Sequence, residues 1–312
     1  MLFLSRHDVE ALLSLEGMLD ALGLGFRAYS TGAASVPPRT AARAPAGLVG
    51  AMPAWVSGGG MALKAVTVFP DNAERGLPTH QGVITLFDEQ SGALLCVMDA
   101  EHITAMRTAG GAAVSVRLLA RTGAKTLAIL GAGVQGQAHL ATVPLVRDFT
   151  EIRVASRDIH RAHALAARDP RCIVVESFED AIRGADVVCC CTDARAPITD
   201  FEWFGAGTHV TSVGGTFGPE VDPETVRRGR IFVEWKGAAE NAPPAGAHEL
   251  QGRDPGTITE LGAVLAGLEP GRQSEEEITV YKSTGSGFED AVTARMVYDA
   301  AIAAKTGTDV DL

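Results

Sequence analysis

"LAILGAGVQGQAHL", residues 127–140, is an apolar strand-like run that breaks into a glycine-rich turn and then a helix-like run. Gly131, Gly133 and Gly136 satisfy the spacing G-x-G-x-x-G. Alone, that spacing is common. Here a strand precedes it, a helix follows, and a second strand, EIRVA (151–155), ends about 20 residues on. In such a unit the first glycine allows the tight turn and the second lets the backbone approach a pyrophosphate. The third lets the helix pack closely on the strand, with its N-terminus facing the phosphates. The expected fold is therefore α/β, with a doubly wound parallel Rossmann sheet.

The end of the second strand selects the nucleotide. NAD sites place an acid there for the ribose hydroxyls, whereas this chain has Ser156 and Arg157. A hydroxyl and a guanidinium suit a 2′-phosphate, which favours NADP(H) and leaves NAD(H) possible. Asp158 falls a little late and reads as the cap of the next helix.

Downstream of Lys125 the rhythm keeps alternating. TLAIL, EIRVA, CIVV, DVVCC, HVTSV and RIFVE are strand-like and are separated by helix-like stretches. Upstream the texture differs. Val9, Leu12, Leu13, Met18, Leu19, Leu22 and Phe26 recur at helical steps. GLVGAMPAWV, MALKAVTVF, HQGVITLFD and GALLCVMD then read as strands, followed by a helix started by Asp99. The closing run EDAVTARMVYDAAIAA reads as a helix that can pack back on the first domain. The expected division is 1–120 plus 290–312, an α+β domain, and 121–289, the dinucleotide domain.

Bulk properties narrow the function classes. The 312 residues carry a formal net charge of −11, which repels phosphate backbones, so nucleic acid is not an expected partner. Arg6, His7, Asp8 and Glu10 interrupt the N-terminal apolar stretch, and no run approaches a membrane span. A cytoplasmic protein without a membrane partner is expected. Cys189, Cys190 and Cys191 lack metal spacing and read as small apolar residues of a buried strand, so no metal is expected.

The first domain carries Arg39, Lys64 and Arg107. Lys64 interrupts an apolar strand, where it is costly unless it meets a partner. Three converging cations would form a carboxylate clamp. VPPRT, GAMPAW, LKAVTVFPDN, GLPTHQGVITLFDEQSGALL, ITAMRTAG, GAGVQGQAH, ITELGAVLAG and YKSTGSGFEDAVTARMVYDAA, in this order, resemble the ornithine cyclodeaminase and mu-crystallin family. The resemblance implies a homodimer whose N-terminal β-rich layer, with the C-terminal helix, pairs the subunits and carries the substrate. It implies Arg39, Lys64 and Arg107 as ligands of a substrate carboxylate. It also implies that Thr79, Arg107, Thr108, Val134, Gln135, Thr192, Val213, Gly214, Gly215 and Gly285 line the dinucleotide.

Two departures qualify it. Cyclodeaminases of this family carry an Asp directly after the two glycines of SVGGTFGPE, where this chain has Thr216. They carry an acid two residues before Met-Pro, where this chain has Gly50. A threonine hydroxyl neither pairs a second ammonium nor acts as a base near neutral pH. Glu220 and Asp222 lie downstream, where either could substitute for the missing acid, but they read first as capping or solvating DPETVRR, while His80 and His209 receive no role. The expected activity is NAD(P)H-dependent reduction of an α-imino acid, or amino-acid dehydrogenation in reverse. Lys64 and Thr216 stand at the reacting end, and Trp55, Met52 and Phe217 form an apolar wall. The alternatives are ornithine cyclodeamination to proline and ammonia, and non-catalytic binding of a small molecule with NADPH.

Overall fold

A computed structural model describes residues 1–215 and 217–311, apart from the side chain of Ala73. In chain order it begins with β1 (Leu2–Leu4), α1 (Arg6–Leu12), α2 (Leu15–Ser30), β2 (Ala34–Ser35) and β3 (Thr40–Ala44). Longer strands follow: β4 (Gly47–Val56), β5 (Gly60–Val68), β6 (His80–Phe87) and β7 (Leu94–Asp99), then α3 (Glu101–Leu119). Alternation sets in with β8 (Thr126–Leu130), α4 (Val134–Thr142), β9 (Glu151–Ala155), α5 (Ile159–Ala166), β10 (Cys172–Val174), α6 (Phe178–Ile182) and β11 (Val187–Cys190). It continues through β12 (His209–Ser212), α7 (Pro223–Arg228), β13 (Arg230–Val233), α8 (Gly237–Glu240), β14 (Thr259–Glu260), α9 (Leu261–Leu265) and β15 (Thr279–Lys282). The chain closes with α10 (Gly287–Ala304) and β16 (Thr308–Asp309). Two compact units result, Met1–Arg107 with the segment from Ser286 onward, and Thr108–Gly285. The seams thus fall after 107 and before 286, where the sequence suggested 120 and 290.

In the first unit the sheet order is β16-β1-β7-β6-β5-β4-β2, with β3 also on β4. Strands β4 to β7 are an antiparallel meander, set in register so that Lys64 lies opposite Met52 and Ile84. Alternation buries one face, including Met52, Ala54, Val56, Ala62, Ile84, Leu86, Cys96 and Met98. Helix α10 covers that face, and Gly287 approaches so closely that a Cβ there would lie 3.2 Å from Ala54 Cβ. The opening helical spacing is cut in two. Leu13 turns extended, and Ser14 caps α2 by accepting from Gly17 N. The apolar side of α2 is buried, with Phe26 edge-on to Phe288 at 5.2 Å and Tyr29 stacked on it at 5.4 Å. Asp99 Oδ1 accepts from the backbone N–H of Glu101 and His102, so it starts α3 as expected.

In the second unit the sheet is parallel throughout, in the order β10-β9-β8-β11-β12-β15-β13-β14. All six expected strands are present, and β14 and β15 join them. Cys189 and Cys190 are fully buried on β11, and burial pushes the Cys189 thiol up to about 12. They pack as small apolar groups. Connections leave β8 in one direction and β11 in the other. Their carboxyl ends therefore flank the crevice at the point where strand order reverses, where open α/β sheets bind ligands. Among the described residues no helix is long and apolar enough to cross a membrane.

Candidate functional site

The glycine turn links β8 to α4 as the spacing demands. Gly131 has φ 107°, and a Cβ there would lie 2.6 Å from the carbonyl oxygen of Cys191, so both conformation and space exclude a side chain. At Gly136 a Cβ would stand 2.0 Å from Gly131 O, which fixes glycine where the helix crosses the turn. Gly133 is different. A Cβ there would meet nothing, and Gly133 heads α4 without a side-chain cap. The space beside Gly133 and the lack of a side-chain cap at the positive end of α4 suit a pyrophosphate. Replacing Gly136 by Ala should remove detectable dinucleotide binding in a fluorescence titration. Retention of wild-type affinity would mean that the turn is not the cradle.

Beyond β9, Asp158 Oδ1 accepts from His160 N and Arg161 N and caps α5, as the sequence suggested. The Arg157 guanidinium is exposed and pairs with Asp193 at 2.9 Å. Ser156 Oγ accepts from Asp158 N at 3.3 Å.

The other positions implied for the dinucleotide lie on several elements. Thr192 follows β11, Val213 to Gly215 follow β12, and Gly285 (φ 75°) follows β15, all at carboxyl ends of parallel strands. Val134 and Gln135 open α4, with Val134 exposed, and Thr108 is buried on α3. Thr79 belongs to the first unit, where its Oγ1 lies 3.1 Å from His80 Nδ1. Thr216 lies outside the described residues.

One expectation is overturned here. Glu220 neither caps nor solvates α7; it is fully buried. One carboxylate oxygen accepts from Thr192 N and Thr192 Oγ1, both at 2.7 Å. The other accepts from Ser212 Oγ at 2.8 Å and Gly214 N at 2.7 Å. Two strand ends are tied together by one side chain. Lys282 Nζ donates to Ser212 Oγ at 2.9 Å and Gly214 O at 2.7 Å, and pairs with Glu249 at 3.1 Å. Asp222 does cap α7, accepting from Thr225 N. His209 is fully buried between Ser115 Oγ and Thr279 Oγ1, and desolvation pushes it down to about 3, so it is a neutral packing group.

In the first unit Lys64 has the partner that its burial required. Its Nζ lies 2.7 Å from Asp290 Oδ2, with both side chains at most 2% exposed. Arg107 reaches the same carboxylate, Nε to Oδ1 at 3.0 Å, and also Glu289 Oε2 at 3.1 Å. Glu289 in turn accepts from Ser286 N at 2.7 Å as part of the capping box of α10. Lys64 is pushed down to about 8, by desolvation first, against Asp290, and further by Arg107 and Arg39. Asp290 is held below the usual carboxylate range: burial would raise it, but Arg107 and Lys64 outweigh that. The structure thus brings Arg107 and Lys64 onto one carboxylate, with Arg39 near enough to act on Lys64's charge. Desolvation and then Lys64 push His80 down.

The three residues expected as an apolar wall fall in different places. Met52 lies opposite Lys64 on the same buried face, whereas Trp55, an odd number of residues away, points to the other face and donates to Glu89 at 2.6 Å. Phe217 belongs to the second unit, beneath the Arg195 guanidinium at 5.4 Å. Gly50 is on the Lys64 face and brings no acid to it. Glu289 and Asp290 went unread because acids in a helix's first turn are ordinary. Glu220, Glu249 and Lys282 were hidden by tertiary placement. No group of acids, histidines and cysteines fit for a metal occurs among the described residues.

The ornithine cyclodeaminase/mu-crystallin family model matches residues 1–305. The ketimine reductase mu-crystallin of Mus musculus is 34% identical over 95% of this chain and 96% of its own length. The Δ1-pyrroline-2-carboxylate reductase of Thermococcus litoralis, solved with NADH and L-proline, has a TM-score of 0.91 at 33% identity, covering 99% of this chain and 100% of that one. An archaeal alanine dehydrogenase dimer with bound NAD has a TM-score of 0.89 at 30% identity, covering 100% and 99%.

Proposed function

Because the chain belongs to the ornithine cyclodeaminase/mu-crystallin family, we propose that it is a nicotinamide-dependent oxidoreductase reducing α-imino acids to amino acids, with the reverse oxidation available. The observation that carries this reading is Lys64, an ammonium buried in an apolar strand beside Arg107 and within reach of Arg39's charge. Relatives active on imines and amino acids support it, and so does the open cradle at Gly133. Arg39 and Arg107 bind the substrate carboxylate, arginine's planar fork fixing its orientation. The nicotinamide, when bound, supplies the hydride that reduces the C=N carbon. Lys64 supplies the proton to the nitrogen and recovers one from water afterwards. Held near 8, its ammonium is both mostly present at neutral pH and acidic enough to give its proton up. Activity in the reducing direction therefore falls as pH rises through about 8, where Lys64 loses its proton.

The absence of an acid at Gly50, and Thr216 where cyclodeaminases carry Asp, favour this reading over ornithine cyclodeamination. The test is NADPH oxidation with piperideine-2-carboxylate, pyrroline-2-carboxylate, and pyruvate plus amines, alongside ammonia release from ornithine. Turnover of the cyclic imines is expected. Ammonia and proline from ornithine without added reductant would overturn the assignment.

We assign NADP(H) over NAD(H), and a homodimer as the working assembly. No acid stands free at the end of β9 to take ribose hydroxyls, since Asp158 is spent as a cap. Arg157→Ala should weaken NADPH binding about ten- to hundredfold, the loss of one charge-assisted contact of roughly 1.5–3 kcal/mol, and leave NADH nearly unchanged. Equal losses for both nucleotides in a fluorescence titration would return the preference to NAD(H).

A further inference from the structure

Arg107 and Lys64 do not wait for a substrate as bare cations. Helix α10 brings two successive carboxylates to them: Glu289 to Arg107, and Asp290 to Arg107 and Lys64 together. Asp290 is the bridging member, one oxygen on each cation, and it is 1% exposed. We propose that Asp290 is a positioning residue of the reaction, holding the Lys64 ammonium protonated and in place between Arg107 and the substrate. The inference rests on the imino-acid reductase reading above.

The groups acting on Lys64 come from three elements and one connecting segment. Asp290, on α10, favours its charged form, while Arg107 on α3 and Arg39 just before β3 oppose it. His80 opens β6 and is itself lowered by Lys64. Asp290 is thus the one nearby charge, among those acting on Lys64, that keeps the proton on. Without it, burial and two guanidiniums all push toward the neutral amine, which cannot protonate an imine. The shared geometry also has a mechanical effect. With Oδ1 on Arg107 and Oδ2 on Lys64, the carboxylate spaces the two cations, so Lys64 cannot swing onto an incoming substrate carboxylate and neutralise it.

The chain has only Lys64, Lys125, Lys236, Lys282 and Lys305, so lysine labelled with ¹³C at Cε gives a countable spectrum. The Lys64 signal is the one lost in Lys64→Arg. In nucleotide-free wild type it should titrate near pH 8. In Asp290→Asn the midpoint should fall by about one to three pH units, and the alkaline limb of kcat/KM should fall with it. A purely structural role would lower kcat/KM at every pH and leave the limb where it was. Should Asp290→Asn fail to fold, Asp290→Glu carries the test, since a displaced carboxylate must move the midpoint and the limb together. An unmoved midpoint in either variant overturns the proposal, as does a moved midpoint with a fixed limb. The titration needs no substrate, so failure to turn over imino acids strikes the activity assignment and leaves the titration to judge Asp290 separately.

Discussion

Glu220→Ala is expected to lower the unfolding free energy by about 3–5 kcal/mol, because several buried donors lose their acceptor at once. The carboxylate receives two hydrogen bonds on each oxygen, from Thr192 N and Oγ1 and from Ser212 Oγ and Gly214 N. Alanine leaves these donors without an acceptor in a space that water cannot readily replace, and each buried orphan costs about 1–3 kcal/mol. Lys282 would keep Glu249 and Gly214 O, but its acceptor Ser212 Oγ would lose the carboxylate that holds it. Urea denaturation measures the loss directly, and a change below about 1 kcal/mol would show that water or repacking takes over the role. Glu220→Gln should fall between, because an amide nitrogen must face at least one of the donors that the second oxygen served. The same substitutions should weaken the dinucleotide, as the anchored segments include Thr192 and Gly214.

Lys64→Met should reduce kcat/KM for a cyclic imino acid by about 10²–10⁴-fold, the usual contribution of a positioned proton donor. Methionine nearly matches the length of the lysine stem, so Met52 and Ile84 keep their cross-strand neighbour. Asp290 retains Arg107 as its counter-charge. The split between the constants is decisive. A fall in kcat identifies a proton donor, whereas a raised KM with unchanged kcat means that Lys64 only binds the carboxylate. The second outcome would sink the proposed proton transfer while leaving the clamp intact.

Legibility of the sequence followed locality. The glycine turn was readable because its main constraints are local: Gly131 has a φ of 107°, and a Cβ at Gly136 would meet Gly131 O within the same strand–turn–helix, although Cys191 O, just past the neighbouring strand, also crowds Gly131. Lys64 stood out because one charge in an apolar strand is costly, and the structure supplies Asp290 as its partner. The carboxylate itself was unreadable as their shared partner, since 183 positions separate Arg107 from Asp290 and Lys64 is farther still. Strand β15 was missed for the same reason. Thr279, Val280, Tyr281 and Lys282 are all buried, but two polar residues in four do not look like a core strand until Glu249 is placed beside Lys282. Glu220 precedes a helix, where acids ordinarily cap, and only the fold turns it toward the strand ends. The break between α1 and α2 was masked by apolar residues on both sides of Ser14, which keep a helical step across a non-helical joint.

The return of α10 to the first unit has a consequence for how the protein is made on the ribosome. At roughly 5–20 residues per second, Asp290 emerges about ten to forty seconds after Arg107. Until then Lys64 and Arg107 have no counter-charge from this helix, and the apolar side of α2 lacks Phe288. The residues from Thr108 to Gly285 form one unbroken stretch and require nothing from the C-terminal segment for their own sheet. The nascent chain is therefore set to complete its later-made half first. The earlier-made unit remains an open layer of strands, in need of protection from aggregation, until α10 has emerged.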